Sequence, residues 1–149
     1  MPVLWWVSRT PPWRRRRDAW VAAGVFDNLV QHAIKAFDRI IGLDLSEVCV
    51  DGHQHKAPCG GEGTGPNPTD RGKKGWKWSV LVDNHGVPLS WAFSGANRHD
   101  VRLLEPTLKP FTHLQLHQDT ETIHLDRGYD AGSVRAMLSS AGLQDHIQA

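Results

Sequence analysis

The sequence predicts an α/β domain in which an antiparallel hairpin and parallel strands form one mixed sheet with helices. Residues 76–93 contain two stretches of alternating apolar and polar side chains around a short turn, which is typical of a β-hairpin. Residues 47–51 and 122–126 are short apolar stretches that each end in an aspartate. Helical patterns over residues 100–109 and 133–141 follow the hairpin and the second stretch, and this order is typical of a sheet with crossover helices.

Length and composition fit one globular domain. The chain has 149 residues, of which 40% are hydrophobic and 22% are charged. No apolar stretch approaches the 18 residues of a membrane-spanning helix, and the apolar residues 4–7 precede basic residues rather than following them, so we expect no signal peptide. Cys49 and Cys59 are too few for a disulfide scaffold. A cytoplasmic protein without a membrane partner is therefore expected.

The first 44 residues divide into an arm and a helical segment. Residues 1–16 contain several prolines and arginines without a period, so we predict an irregular basic arm. Residues 17–44 are predicted to be helical, with Gly24 dividing two helices and Gly42 ending the second. The apolar side chains of that segment recur every four residues at Leu29, Ala33, Phe37 and Ile41. Residues 45–149 then form the sheet domain.

The hairpin is predicted to turn its tryptophans inward. A glycine- and proline-rich loop over residues 59–75 leads into it. We expect the helix over 100–109, with Asp100 as its N-cap and a kink or restart at Pro106, to cover the hairpin. The side chains expected to be buried there are Trp78, Val80, Leu89 and Trp91. The alternative is that Trp76, Trp78 and Trp91 stack on bases of nucleic acid.

Positive charge is clustered, although the net charge of the chain is only +1. One cluster lies in residues 9–17 and contains Arg14–Arg17. The other contains Arg71, Lys73, Lys74 and Lys77 and lies on the loop that enters the hairpin. Such clusters on a nearly neutral chain indicate a surface that faces a polyanion such as DNA. The alternative for each cluster is an ordinary solvated surface.

Asp51 and Asp126 are the candidate catalytic residues. Each ends a predicted buried strand, where a carboxylate is costly unless it is paired or binds a metal ion. The carboxyl ends of parallel strands meet at one sheet edge, and two carboxylates there suit a hard divalent cation such as Mg²⁺ or Mn²⁺. Pairs of such ions support phosphoryl transfer in nucleases and polymerases. The alternative is that both aspartates merely cap the segments that follow.

Several motifs together resemble the catalytic domain of bacterial insertion-sequence DDE transposases. The resemblance covers most of residues 13–149. The motifs are Val50-Asp51-Gly52, Arg71-Gly72-Lys73-Lys74-Gly75, Gly95-Ala96-Asn97-Arg98-His99-Asp100 and Leu125-Asp126-Arg127-Gly128-Tyr129-Asp130. The resemblance is strongest in the motif that contains Asp126. The resemblance implies a ribonuclease H-like fold. It also implies that Asp51 and Asp126 are the first two members of a metal-binding Asp-Asp-Glu triad, with Tyr129 the tyrosine that follows the second member.

The resemblance further implies the reaction and its partners. These are magnesium-dependent cleavage of a DNA strand at the insertion-sequence ends, followed by strand transfer to target DNA, commonly by a dimer. The family's third acid is a glutamate on a helix beyond the second aspartate, whereas Glu121, the last glutamate here, precedes Asp126. Asp130 and Asp145 follow it outside any matching motif. We therefore expect a partial domain that is inactive alone, or else a non-catalytic DNA-binding or inert remnant.

A zinc site is the remaining alternative for the loop region. His53, His55 and Cys59, with His99 as a fourth ligand, could bind zinc, but their spacing matches no common zinc motif. The simpler interpretation is that these side chains lie beside the active site. The glycine-rich loop also lacks the Gly-x4-Gly-Lys-Ser/Thr pattern, which argues against a nucleoside triphosphatase.

Overall fold

A computed structural model of the chain describes residues 11–147. The chain divides into two compact units, residues 1–42 and residues 43–149. The helices of the described part are α1 (Pro12–Ala22), α2 (Val25–Ile40), α3 (Val101–His113) and α4 (Gly132–Ser140). None of the helices in this part is both long enough and apolar enough to cross a membrane.

The described part of the first unit, residues 11–42, contains two helices separated by a glycine. Gly24 has a φ of 65°, a conformation that glycine adopts without steric cost, and it separates α1 from α2 as predicted. Helix α1 begins at Pro12, so residues 12–16 of the predicted irregular arm are helical. Proline is well suited to the first helical position, because the N–H that it lacks would have no partner there. The rest of the arm, residues 1–10, lies outside the described residues.

The second unit contains a mixed sheet. Its described strands are β1 (Glu47–Lys56), β2 (Gly65–Pro66), β3 (Lys74–Val82), β4 (Pro88–Gly95), β5 (Thr122–Leu125) and β6 (Gln144–Ile147). Apart from the two-residue β2, the strand order is β4-β3-β1-β5-β6. Strand β3 pairs antiparallel with β1 and β4, whereas β5 pairs parallel with β1 and β6. This arrangement confirms the predicted mixed α/β fold of ribonuclease H type.

One prediction about β1 is wrong. The strand does not end at Asp51 but continues to Lys56, because residues Cys49 to Lys56 pair with β3 without interruption. The polar residues after Asp51 had indicated a loop. They belong instead to the half-exposed end of β1. This end pairs with β3 on one side, whereas its pairing with β5 stops at Val50.

The two surfaces of the sheet differ, and we name them by their residues. The inner face carries Val50 and Leu81, which are cross-strand partners and are 1% and 0% exposed. These side chains belong to one apolar core with Leu104 of α3 and Leu138 of α4. The outer face carries the alternate residues, among them Asp51 and its partner Val80. Both helices therefore pack on the inner face.

The hairpin forms as predicted, but it has the opposite orientation. Trp78 and Trp91 lie on the outer face and remain 37% and 38% exposed, whereas Lys77 and Ser79 point inward and are 4% and 0% exposed. The predicted burial of both tryptophans in the core is therefore wrong. Leu89, beside a register shift in the hairpin, is buried as expected. Of these two inward polar groups, Lys77 has a partner for its ammonium, whereas the Ser79 hydroxyl has no well-formed hydrogen bond within the described residues.

Helix α3 is longer than expected and continues past Pro106. It runs to His113 through Pro106 and Pro110, so the predicted restart at Pro106 is wrong. Packing outweighs the hydrogen bonds that the prolines remove, because one side of the helix is buried at Leu103, Leu104, Thr107, Leu108 and Phe111. Asp100 occupies the N-cap position, but its side chain makes no capping hydrogen bond.

Candidate active site

Asp51 and Asp126 occupy corresponding positions on adjacent parallel strands. The ladder between β1 and β5 pairs Val50 with Leu125. Asp51 follows Val50 directly in the sequence, and Asp126 follows Leu125. Neighbouring strands lie about 4.8 Å apart, so this register brings the two residues side by side. Asp51 lies within β1, and Asp126 directly follows β5.

Each aspartate is exposed and accepts a local hydrogen bond. The Gly52 amide donates to Asp51 Oδ1 over 2.7 Å, and the Gly128 amide donates to Asp126 Oδ1 over 2.9 Å. Asp126 thereby caps the 3-10 turn of Arg127–Tyr129, so the capping interpretation holds for this residue. Capping does not compete with ion binding, because a carboxylate oxygen has lone pairs for more than one partner.

Tyr129 lies beneath the site and is 1% exposed. Burial raises the pKa of its hydroxyl to about 12; the nearby Ser79 hydroxyl lowers this pKa, and the charges of Asp100, Asp126 and Asp51 raise it further. The hydroxyls of Tyr129 and Ser79 are buried without a well-formed hydrogen bond to any residue that the structure describes. Tyr129 is therefore neutral at ordinary pH and fills space under the carboxylates.

The predicted DNA-contacting residues separate into two groups. Arg71, Lys73 and Lys74 are exposed on the loop before β3 and at its first residue. Lys77 is buried, and its Nζ lies 2.9 Å from Asp100 Oδ1, so it is not available to a phosphate. The sequence predicts Asp100 as a helix N-cap and as the last residue of a family motif, but not as the partner of Lys77. Because the alternating pattern predicts Lys77 on the outward face, the sequence carried no signal for this pair.

Among the residues that the structure describes, no third metal ligand joins Asp51 and Asp126. Residues 11–147 contain no group of three or more His, Cys, Asp or Glu side chains that could hold a metal ion. Asp130 and Asp145, the two later acids, both form ion pairs with Arg135. His53 and His55 have their rings 4.6 Å apart, and His55 stacks on Trp76, but no third ligand joins them in this part of the chain.

The sequence matches the family model described as "Transposase DDE domain" over residues 42–149. The chain belongs to this transposase family. The match spans the second unit, including both aspartates, the exposed basic residues and the Lys77–Asp100 pair. The family resemblance seen in the sequence motifs is thereby confirmed, and use of a divalent metal ion is a property of this transposase family.

Individual relatives agree with this family. A Burkholderia cepacia protein described as a transposase for the insertion sequence element IS402 is 38% identical over 89 residues. That alignment covers 56% of this chain and 42% of the relative, so the chain spans less than half of that protein.

Two solved structures are also similar to the chain. The HTLV-2 integrase catalytic core domain in complex with magnesium has a TM-score of 0.46 and 13% identity, over 71% of this chain and 61% of that one. The Mos1 transposase paired-end complex with the left transposon end has a TM-score of 0.45 and 16% identity, over 97% of this chain and 45% of that one.

Proposed function

We propose that this chain contributes the first two metal-binding carboxylates, Asp51 and Asp126, to a DNA transposase that moves an insertion sequence. The observation that carries the proposal is the register of β1 and β5, which puts two exposed aspartates at equivalent positions of adjacent parallel strands. The family match supports DNA as the substrate. The reaction is cleavage at the ends of the element and transfer of the freed strand to target DNA.

The residues present suit a hard divalent cation. Carboxylate oxygens are the ligands that Mg²⁺ and Mn²⁺ prefer, and Asp51 and Asp126 are solvent-accessible. When bound, such an ion supplies electrostatic stabilisation of the charge that develops on the phosphate oxygens. The chain itself orients the two carboxylates through the amides of Gly52 and Gly128 and excludes water below them with Tyr129.

Metal binding by single variants tests this assignment. Mn²⁺ affinity is measured by the electron paramagnetic resonance of the free ion, for the wild-type chain and for Asp51→Asn and Asp126→Asn. We expect each variant to bind at least about tenfold more weakly, since each loses one of two anionic ligands. Glu62→Gln, which neutralises an exposed carboxylate on the glycine-rich loop, is the matched control. Equal affinity for all four proteins would mean that the ion binds elsewhere.

DNA binding is proposed to use Arg71, Lys73 and Lys74, without Lys77. Each phosphate contact on duplex DNA adds about −0.9 to the slope of log affinity against log salt concentration. Changing all three residues to glutamine should therefore flatten that slope by about 2 to 3. Lys109→Gln, which removes an exposed charge on α3, should leave the slope unchanged. A triple variant with the wild-type slope would move the contact elsewhere, with Arg14–Arg17 on α1 the next candidates.

When this chain is assayed alone, we expect that it does not cleave DNA. In-line phosphoryl transfer needs ions fixed against both the attacking and the leaving oxygen, and an error of about 1 Å in position can cost about 100-fold in rate. The described residues supply two ligands and no third. This observation favours the second candidate function, a DNA-binding chain without catalysis of its own.

Strand cleavage of a plasmid that carries the element's ends, with Mg²⁺ or Mn²⁺, is the test. Efficient cleavage that Asp51→Ala abolishes would contradict this expectation. It would direct attention to Asp130 and Asp145, which would first have to leave Arg135.

A further inference from the structure

The buried lysine of β3 is an unusual feature of the inner face. The side chain of Lys77 is 5% exposed, and its ammonium contacts Asp100 Oδ1 at 2.9 Å. Charges at such positions are costly to bury, and a pair of well-packed apolar side chains generally serves stability as well or better. Only the lysine is buried, since the Asp100 side chain is 38% exposed, and such a pair is weak evidence of core stabilisation.

Asp100 is held away from the role that its position in the chain suggests. It precedes α3 at the N-cap position, where an aspartate normally accepts a hydrogen bond from the first turn. Its side chain makes no such bond and points instead to Lys77. The capping contribution is given up in favour of a contact with the sheet.

That contact reaches the residue next to Asp51. A Cβ added to Gly52 would lie 3.2 Å from Asp100 Oδ1, so the carboxylate rests directly on the glycine. Gly52 in turn donates its N–H to Asp51 Oδ1. A continuous series of contacts thus leads from the ammonium of Lys77 on the inner face to the carboxylate of Asp51 on the outer face, through the backbone of one glycine.

We propose that Lys77 and Asp100 are positioning residues: the ammonium holds the Asp100 carboxylate against Gly52, and Gly52 fixes the orientation of the Asp51 carboxylate through its amide. Neither residue touches substrate. This arrangement requires glycine at position 52, because the side chain of a larger residue would displace Asp100. This inference rests on the proposed role of Asp51 in metal binding, and its test includes a measurement that needs no metal.

The first measurement is the amide-proton chemical shift of Gly52 in the metal-free chain, by NMR. Asp51→Ala, which removes the acceptor, defines the shift without the hydrogen bond. In Lys77→Met and Asp100→Asn we expect the Gly52 resonance to move at least halfway toward that value. In Lys77→Arg, which keeps the charge, and in Lys109→Met, which removes an exposed lysine of α3, it should stay near the wild-type position.

The resonances of Val48 and Ile123 report the integrity of β1 and β5. They should not move in any of these variants. An unmoved Gly52 resonance in both Lys77→Met and Asp100→Asn would overturn the proposal, and so would a uniform shift of all three residues, since that pattern indicates a general structural role. If Lys77→Met fails to fold, the isosteric Asp100→Asn decides the question.

The second measurement is Mn²⁺ affinity, which separates positioning from simple electrostatics. Lys77→Met removes a positive charge and Asp100→Asn removes a negative one, so long-range electrostatics would change the affinity in opposite directions. Loss of positioning weakens Mn²⁺ binding in both variants, and we expect the affinity to fall about tenfold in each. The affinity of Lys77→Arg should stay within about threefold of wild type. Opposite changes would overturn the proposal. If the wild-type chain itself binds no Mn²⁺, the proposed function fails, and the Gly52 resonance alone decides the positioning role.

Discussion

The two faces of the sheet distribute polarity in opposite ways. The inner face buries polar side chains, Lys77 and Ser79, among the core residues of α3 and α4. The outer face carries aromatic rings that remain accessible, with Trp78 stacked against its cross-strand partner Phe93 at a centroid distance of 6.2 Å. Phe93 is the most exposed of these rings, at 60%.

The difference shows that burial in this sheet follows available partners as well as hydrophobicity. An ammonium is buried where a carboxylate from the next helix can reach it. Indole and phenyl rings stay outside, where Trp76 and Trp78 of β3 contact Phe93 of β4. The candidate carboxylate Asp51 lies on the aromatic face, whereas the residues that we propose to position it lie on the other.

Replacing matched phenylalanines should separate the faces most clearly. Phe111 of α3 is 0% exposed in the core over the inner face, and Phe93 lies on the outer face. Phe111→Ala should lower the free energy of unfolding by about 3–5 kcal/mol, because it leaves a cavity. Phe93→Ala should lower it by less than about 1 kcal/mol. Urea unfolding measures both values, and similar losses would mean that the outer face is also a packed interior.

High pH should destabilise the inner face through Tyr129. Its pKa is about 12 when folded and about 10 when unfolded, so the contribution to stability is complete below pH 10 and is lost as the pH rises through 12. The loss amounts to about 2–3 kcal/mol. Tyr129→Phe should remove this component of the pH dependence.

Tyr129 is the only tyrosine of the chain, so ultraviolet difference spectroscopy reads its ionisation directly. A midpoint near pH 10 in the folded chain would contradict the buried position of the hydroxyl.

The smallest expected effect belongs to the aromatic pair of the outer face. A double-mutant cycle with Trp78→Ala and Phe93→Ala should give a coupling energy of about 0.2–1 kcal/mol, the range of cross-strand aromatic pairs. A cycle of Trp78→Ala with Leu138→Ala, whose side chain lies in the inner core, is the control and should give about zero. A coupling near zero for both cycles would mean that the rings pack independently.

The sequence was sufficient for the features that depend on local pattern. Alternation located the hairpin, short apolar stretches before Asp126 and around Val50 located the two parallel strands, and Gly24 and Gly42 marked the ends of helical segments. The family motifs predict Asp51 and Asp126 as site residues, and the register of β1 and β5 puts the two at neighbouring positions; their role in metal binding stays a proposal.

The orientation of the hairpin could not be obtained in the same way. Alternation defines two faces without saying which one the helices cover, and both faces of β3 contain large side chains. The decisive contact joins Lys77 to Asp100, a partner in another element that periodicity cannot identify. The end of β1 was missed for a similar reason, because His53 and His55 are polar yet their strand is paired with β3.

The parallel ladder between β1 and β5 also determines when the site can assemble. It joins residues that are separated by the entire hairpin and α3, and closing a loop between residues 51 and 126 costs about 4 kcal/mol of chain entropy. Contacts of such long range form slowly and only after local structure has reduced that cost. During synthesis, Asp51 therefore cannot pair with Asp126 before β5 has left the ribosome. The two carboxylates come together late in folding.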